Sequence, residues 1–253
     1  MDPLAQRGFG ASLDAARVYD RGRPGYAPEL APWLAEELGL SRSSRVLDLA
    51  AGTGQLSRLL MPLVGSVVAV EPAAAMREVL ASRVPGAEVV EGVAEQLPLA
   101  DGSIDAAVVG NAFHWFDADV ALRELARVLR PGGGLAIVWN IGRDTEPPTP
   151  ELETYVAGLR TEAGLGPMTG SQDPAWRRAF AATDAFAPLR YHELLHTREQ
   201  DRETFVAYLA SLAFIAALPT RDTAIERLRE LAPEVSILSM RTECHWTRRR
   251  LAA

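Results

Sequence analysis

The segment Val46-Leu47-Asp48-Leu49-Ala50-Ala51-Gly52-Thr53-Gly54-Gln55-Leu56, followed by Val67-Val68-Ala69-Val70-Glu71-Pro72, constrains the fold more than any other part of the chain. A short apolar run enters a turn of small residues that opens a helix, and a second apolar run ends on a lone carboxylate. Parallel sheets hold nucleosides in this way, because the turn lets a ligand approach the backbone and the acidic side chain accepts hydrogen bonds from both ribose hydroxyls. Gly52 and Gly54 lack the β-carbons that would block the approach, and either can take the positive φ of a sharp strand-to-helix turn. Leu56, Leu59, Leu60 and Leu63 recur at helical spacing after the turn, and Pro62 ends that helix early. A carboxylate at Glu71 requires a sugar without a 2′-phosphate. The chain reads as a binder of a nucleotide-type cofactor.

Nicotinamide binders favour G-x-G-x-x-G, with the pyrophosphate on the helix N-terminus. Here Ser57 occupies the third glycine position, and Asp48 stands four residues before Gly52. A carboxylate at that point repels a pyrophosphate but attracts an amino group or a sulfonium. On these residues the chain resembles the class I S-adenosylmethionine-dependent methyltransferases with a type 11 domain, whose D-x-G-x-G-x-G it matches as D-L-A-A-G-T-G. Ala50 replaces the first Gly, and one added methyl is expected only to tighten the turn. Further stretches extend the resemblance over most of the chain. Glu91-Gly92-Val93-Ala94-Glu95-Gln96-Leu97-Pro98-Leu99 resembles the family's adenine segment, Ile104 to Val109 its fourth strand, and Arg127 to Leu135 the turn before its fifth. Val93 stands where an acidic or amide side chain often meets the adenine amino group, so that contact has to come from Glu95, from backbone carbonyls or from water.

The resemblance implies an α/β fold, a Rossmann-like doubly wound sheet of seven strands ordered 3-2-1-4-5-7-6, with the last strand antiparallel and helical insertions capping the site. It implies S-adenosyl-L-methionine as cofactor and S-adenosyl-L-homocysteine as product. Asp48, Ala50, Gly52, Thr53 and Gly54 would form the cofactor loop. Glu71 would take the ribose, with Pro72 and Met76 beside it, and Ala94 and Glu95 would lie along the adenine. Asn111 and Ala112, after the fourth strand, would touch the methionine moiety. In Asn111-Ala112-Phe113-His114-Trp115-Phe116-Asp117, His114 is the candidate catalytic residue, as general base or as a group orienting the acceptor; a pKa near 6.5 suits both. Trp115 would line the cofactor site. Equally, His114, Trp115 and Phe116 would simply pack the floor of the cleft.

Tyr19-Asp20-Arg21-Gly22-Arg23-Pro24-Gly25-Tyr26 is similar to a Y-x-x-x-R-P-x-Y stretch in a methyltransferase subgroup that includes trans-aconitate methyltransferase-like proteins, where it lies over the cofactor. Tyr19 would cover the cofactor, and Arg23 would either pair with its methionine carboxylate or sit at the surface against Tyr26.

At 253 residues, 48% hydrophobic and 23% charged, the chain can bury the core of one large α/β domain. It divides into an N-terminal helical lid segment at 1–44, a cofactor-binding core at 45–140, and cap helices with the last two strands at 141–253. A net charge of −7 argues against a nucleic-acid surface. Arg248-Arg249-Arg250, the basic cluster, reads as a solvated strand end. Cys244 alone can form neither an intramolecular disulfide nor a multi-cysteine zinc site; no metal is expected, and a cytoplasmic location is. Residues 1–30 lack a signal-peptide core, and the longest apolar stretch, Phe205 to Leu218, is too short to span a bilayer. The partner expected is a small-molecule acceptor, with no nucleic acid and no membrane, for a monomer or homodimer.

Strands are expected at 45–50, 66–70, 87–91, 104–110 and 134–140, with helices opened by Pro72 and Asp119. Asp144 to Pro150 reads as a stiff linker. Helices near 151–164 and 174–182 follow, then a strand over 189–197, helices at 201–217 and 221–232, and a strand at 242–249. The apolar 205–218 helix is expected to line the acceptor pocket with Ala210 and Ala213. His192, His196 and His245 are expected to pack without metal. The reaction expected is in-line displacement at the sulfonium methyl, with O-methylation of a carboxylic acid as one candidate. A nicotinamide-dependent reductase and a non-catalytic cofactor-binding regulator are the competing readings.

Overall fold

The computed structural model of the chain describes residues 10–142, 149–164 and 175–251. Seven strands form one sheet in the order β3-β2-β1-β4-β5-β7-β6. They are β1 (Arg45–Leu49), β2 (Ser66–Val70), β3 (Glu88–Val90), β4 (Ile104–Gly110), β5 (Leu129–Gly142), β6 (Arg190–Asp201) and β7 (Val235–Arg248). β1 to β5 pair in parallel, and β7 runs antiparallel to both β5 and β6. The expected order and the antiparallel last strand are both present.

Both faces of the sheet are covered, so its central strands are apolar throughout. Side chains alternate between two layers. Val46, Val67, Val108 and Val138 pack under α2 (Leu30–Leu38) and α3 (Gln55–Leu60). Leu47, Val68, Val109 and Ile137 pack under α5 (Ala118–Val128) and α7 (Ala175–Ala182). The first helix, α1 (Leu13–Gly22), and α4 (Ala74–Arg83) meet through Ala16, Met76 and Val79. A third apolar cluster lies among α6 (Pro150–Glu162), α8 (Arg202–Ala210), α9 (Ala213–Ala216), α10 (Arg221–Leu231) and the start of β7.

Several boundaries differ from the sequence expectation for identifiable reasons. Pro72 precedes α4 by two residues, because the extended Ala73 (φ −83°, ψ 117°) stands between them. α5 starts at Ala118, capped by Asp117, whose Oδ1 accepts from the Val120 N–H at 3.1 Å. The expected 201–217 helix breaks at Leu212, where ψ is 131°. β7 starts at Val235 instead of 242, and β6 runs on to Asp201, so the two form a ribbon that outruns the rest of the sheet. Of the linker, only Thr149 and Pro150 lie within the described residues, and they open α6. The three arginines that end β7 are not merely solvated: Arg248 donates to the carbonyls of Gly132 and Glu37, Arg249 to Leu129, and Arg250 to Phe186.

β1 ends at Leu49 because Ala50 has a φ of +54°. The added methyl does not simply tighten the turn. It strains it, since an L-residue in the left-handed region costs roughly 1–2 kcal/mol. Allowing for the greater freedom of an unfolded Gly, Ala50→Gly should stabilise the protein by about 0.5–1 kcal/mol, read as a higher midpoint in chemical denaturation.

Candidate cofactor cleft

The carboxyl ends of β1, β2 and β4 open into two adjoining cavities that share Tyr19, Ala50, Gly52, Gly110 and Asn111. Both are open clefts at the sheet edge, where α/β sheets hold ligands. Glu71, Pro72 and Met76 wall the first on one side, with Ala94 and Glu95 along its floor and Ala112 and Trp115 opposite. Arg23, Asp48 and Thr53 wall the second. Of the sequence-derived candidates, Gly54 and His114 lie off both walls.

Gly54 packs against α4. At φ +82° it starts α3, and a β-carbon there would fall 2.9 Å from Leu80 Cγ of α4. His114 is exposed in a short 3-10 turn, its ring 4.2 Å from that of Trp115 and 5.2 Å from that of Trp139. Ala210 and Ala213 line neither cavity. α8 and α9 turn their apolar residues into the third cluster, and only Tyr208 reaches the second cavity. His245 packs against Trp176, and burial pushes its pKa down to about 4.

Two buried carboxylates hold the loop between β1 and α3. Asp48 Oδ2 accepts from the Ser57 backbone N–H at 2.9 Å and from Ser57 Oγ at 2.6 Å. Asp48 thus secures the start of α3, and Ser57 is its partner. Glu71 Oε2 accepts from the Gly52 N–H at 2.9 Å, and Oε1 from the Ala73 N–H at 2.9 Å. Burial raises the pKa of both carboxylates, and Asp48 is pushed up to about 7, with Ser57 opposing the shift and Glu71 adding to it. A β-carbon added to Gly52, at φ +57°, would meet no protein atom within 4 Å. The space beside Glu71 is open to a ligand.

Tyr26 and Asn140 complete the second cavity and were not among the sequence-derived candidates. Asn111, at φ +52°, donates through Nδ2 to Tyr26 Oη at 3.1 Å, and its Oδ1 accepts from the Asn140 N–H at 2.8 Å. Asn140 Nδ2 donates to the carbonyls of Pro24 and Gly25, and Thr242 Oγ1 donates to Asn140 Oδ1. This chain ties the N-terminal segment to the ends of β4, β5 and β7. Arg23 donates to the Ser211 carbonyl at 2.9 Å and lies 5.0 Å from the centroid of Tyr19, not against Tyr26. Its Nε and Thr53 Oγ1 are buried without a partner, on residues that line the same cavity.

Comparison with known proteins agrees with this geometry. A methyltransferase domain family matches residues 47–137. An uncharacterized methyltransferase of Mycobacterium tuberculosis is 35% identical over 88% of this chain and 84% of its own length. A methyltransferase-like protein of Schizosaccharomyces pombe is 30% identical over 81% and 78%, respectively. The solved structure of a type II methyltransferase from Anaeromyxobacter dehalogenans superposes with a TM-score of 0.58 at 25% identity, covering 91% of this chain and 99% of that one.

The pKa of Asp48 carries a stability consequence. The carboxyl is protonated more readily in the folded chain (about 7) than in the unfolded one (about 3.9), so its contribution falls as pH rises from about 4 to about 7 and stays low above that. Asp48→Asn keeps an acceptor for Ser57 without the buried charge. Its melting temperature should exceed the parental value at pH 8, and the difference should shrink as pH is lowered toward 5.

Cleft, loop and relatives together identify the chain as a member of the class I S-adenosylmethionine-dependent methyltransferase family.

Proposed function

We propose that the cleft binds S-adenosyl-L-methionine, adenosine in the first cavity and methionine end in the second, for methyl transfer to a small-molecule acceptor. The observation that carries this reading is the buried Glu71 carboxylate beside the open face of Gly52, at the end of β2. Arg23 Nε and Thr53 Oγ1 supply the donors that suit a carboxylate and an amino acid head group, and their lack of protein partners fits a ligand there. Val93, Ala94 and Trp115 give the first cavity the apolar walls that an adenine ring needs. When bound, the cofactor supplies an electrophilic methyl, which an acceptor held about 3 Å away displaces in line.

A carboxylate is the acceptor chemistry that these walls favour. Among the described residues, the second cavity presents neither histidine nor lysine. Its Asp48 is engaged by Ser57, and burial holds the proton on Tyr26 well above the usual phenol range. An acceptor that arrives already deprotonated needs orientation and no base. On this reading His114 supports Trp115, and catalysis rests on positioning.

Calorimetry with S-adenosyl-L-homocysteine tests the cofactor assignment. Glu71→Ala should weaken binding by roughly 1–3 kcal/mol through lost charge-assisted hydrogen bonds. Gly52→Val should nearly abolish it, and unchanged affinity in both variants would refute the assignment.

Cofactor turnover against a panel of carboxylic acids, phenols and amines tests the acceptor. With a carboxylic acid substrate, His114→Gln should lower turnover by less than about tenfold and leave the pH profile unaltered near neutrality. A loss of roughly 10²-fold or more, with an ionisation near pH 6.5 removed, would make His114 the general base and a hydroxyl or amine the acceptor.

A further inference from the structure

We propose that Asp20 is a positioning residue that holds α1 across the cofactor cleft, and that its paired ionic contacts with Arg58 and Arg83 set how fast the spent cofactor leaves. The proposal rests on the reading of the cleft as an S-adenosylmethionine site. Asp20 has a side chain only 3% exposed, which is uncommon for an aspartate unless it is paired. Its Oδ1 lies 3.3 Å from Arg58 Nη2, and its Oδ2 accepts from Arg83 Nε at 2.8 Å. The two arginines come from α3 and from the last turn of α4, the helices that follow the glycine loop and Glu71. One carboxylate therefore joins α1 to both elements that carry the cofactor contacts.

The neighbours of Asp20 give this tie its consequence. Tyr19, the preceding residue, lines both cavities, and Arg23, just past the helix end, lines the second. Two residues beyond Asp20, Gly22 lies so close to α8 that a β-carbon would come within 2.2 Å of the Ala207 carbonyl carbon. Toward α4, by contrast, the fully buried apolar contact of α1 is the single methyl of Ala16. α1 is thus seated by steric fit on the α8 side, and by Ala16, Leu13 and Tyr19 together with the ion pairs on the α4 side. Asp20 itself is buried, so loss of both arginines would leave its charge uncompensated, which favours the paired state. The side chains of Arg58 and Arg83 are 37% and 56% exposed, so both can hydrate when released, which keeps the opened state within reach. When the ion pairs part, α1 is freed from α3 and α4 and keeps its seat where Gly22 meets Ala207.

Release of S-adenosyl-L-homocysteine, followed by stopped-flow displacement at low and high salt, tests this in the parent, Asp20→Asn, Arg83→Gln and the double variant. Asp20→Asn should raise the dissociation rate about tenfold while the association rate changes by less than about threefold. Arg83→Gln, at the exposed end of the contact, should raise it about threefold, and the double variant should match Asp20→Asn alone because both remove the same tie. Parental dissociation should speed up with salt, and that of Asp20→Asn should not, a difference that a purely structural role would not produce. Should Asp20→Asn fold poorly, Arg83→Gln carries the same test from a half-exposed position. If the parent binds the ligand and the variants release it at the parental rate with parental salt dependence, α1 is held by apolar contact and the proposal is overturned. If the parent does not bind the ligand, the cofactor assignment fails first and the proposal falls with it.

Discussion

Everything in the cleft depends on two carboxylates taken out of water at the ends of adjacent parallel strands. Asp48 and Glu71 carry an unfavourable desolvation energy that raises both pKa values, and each offsets it by accepting backbone N–H groups, of the intervening segment and of Ala73 just after Glu71. Ser57, Gly52 and Ala73 are thereby fixed relative to β1 and β2. That fixes the start of α3, the open face of Gly52 and the approach to α4. The left-handed Ala50 is sustained in the same way, since a residue that costs energy where it sits persists only when its surroundings determine it.

A second constraint acts from the other side of the cleft. Tyr26, Asn111, Asn140 and Thr242 form one hydrogen-bonded chain through four separate parts of the sequence, ending on the backbone of Pro24 and Gly25. The N-terminal segment is thus attached to the carboxyl ends of β4 and β5 and to β7. Because every member has a partner, the chain rigidifies the site without the cost of an orphaned buried amide. The unpartnered polar atoms of the second cavity belong instead to Arg23 and Thr53, on residues whose remaining surroundings are already set. Rigid walls with two unsatisfied donors form a site prepared for a ligand, and catalysis by positioning needs such walls.

How much of this was legible in the sequence follows from where each signal lives. β1, β2 and β4 were read within a residue, because strands buried on both faces are continuous apolar runs bounded by turn residues. The strand order came from the family resemblance, since local periodicity says nothing about which strands pair. The extension of β7 was missed because Val235 and Ile237 point to solvent at 58% and 63% exposure, so the strand lacks a polar face to announce its alternation. The break at Leu212 carries no Pro or Gly; its backbone is set by the close seating of α8 and α9. Glu71, Gly52 and Asn111, singled out by their places after strands, line the cavities. Tyr26 and Asn140 were missed because their importance lies in partners 85 and 29 residues away, which a local motif does not encode.

His114 and Gly54 occupy motif positions that the structure places off both cavity walls. A β-carbon at Gly54 would meet Leu80 of α4, and His114 is exposed with its ring against Trp115 and Trp139, while Ala112 and Trp115 line the first cavity. In both cases the motif preserves the geometry of a turn, and the turn presents only some of its residues to the cavity. The same reasoning applies to the aspartate between Tyr19 and Arg23. Asp20 belongs to the N-terminal motif and touches neither cavity, yet it fixes the helix from which both of its cavity-lining neighbours project. On the proposed reading, residues in such a site divide by what they hold: Glu71 and Arg23 would face the ligand, Asp48 holds the loop that shapes its space, and Asp20 ties α1 to α3 and α4.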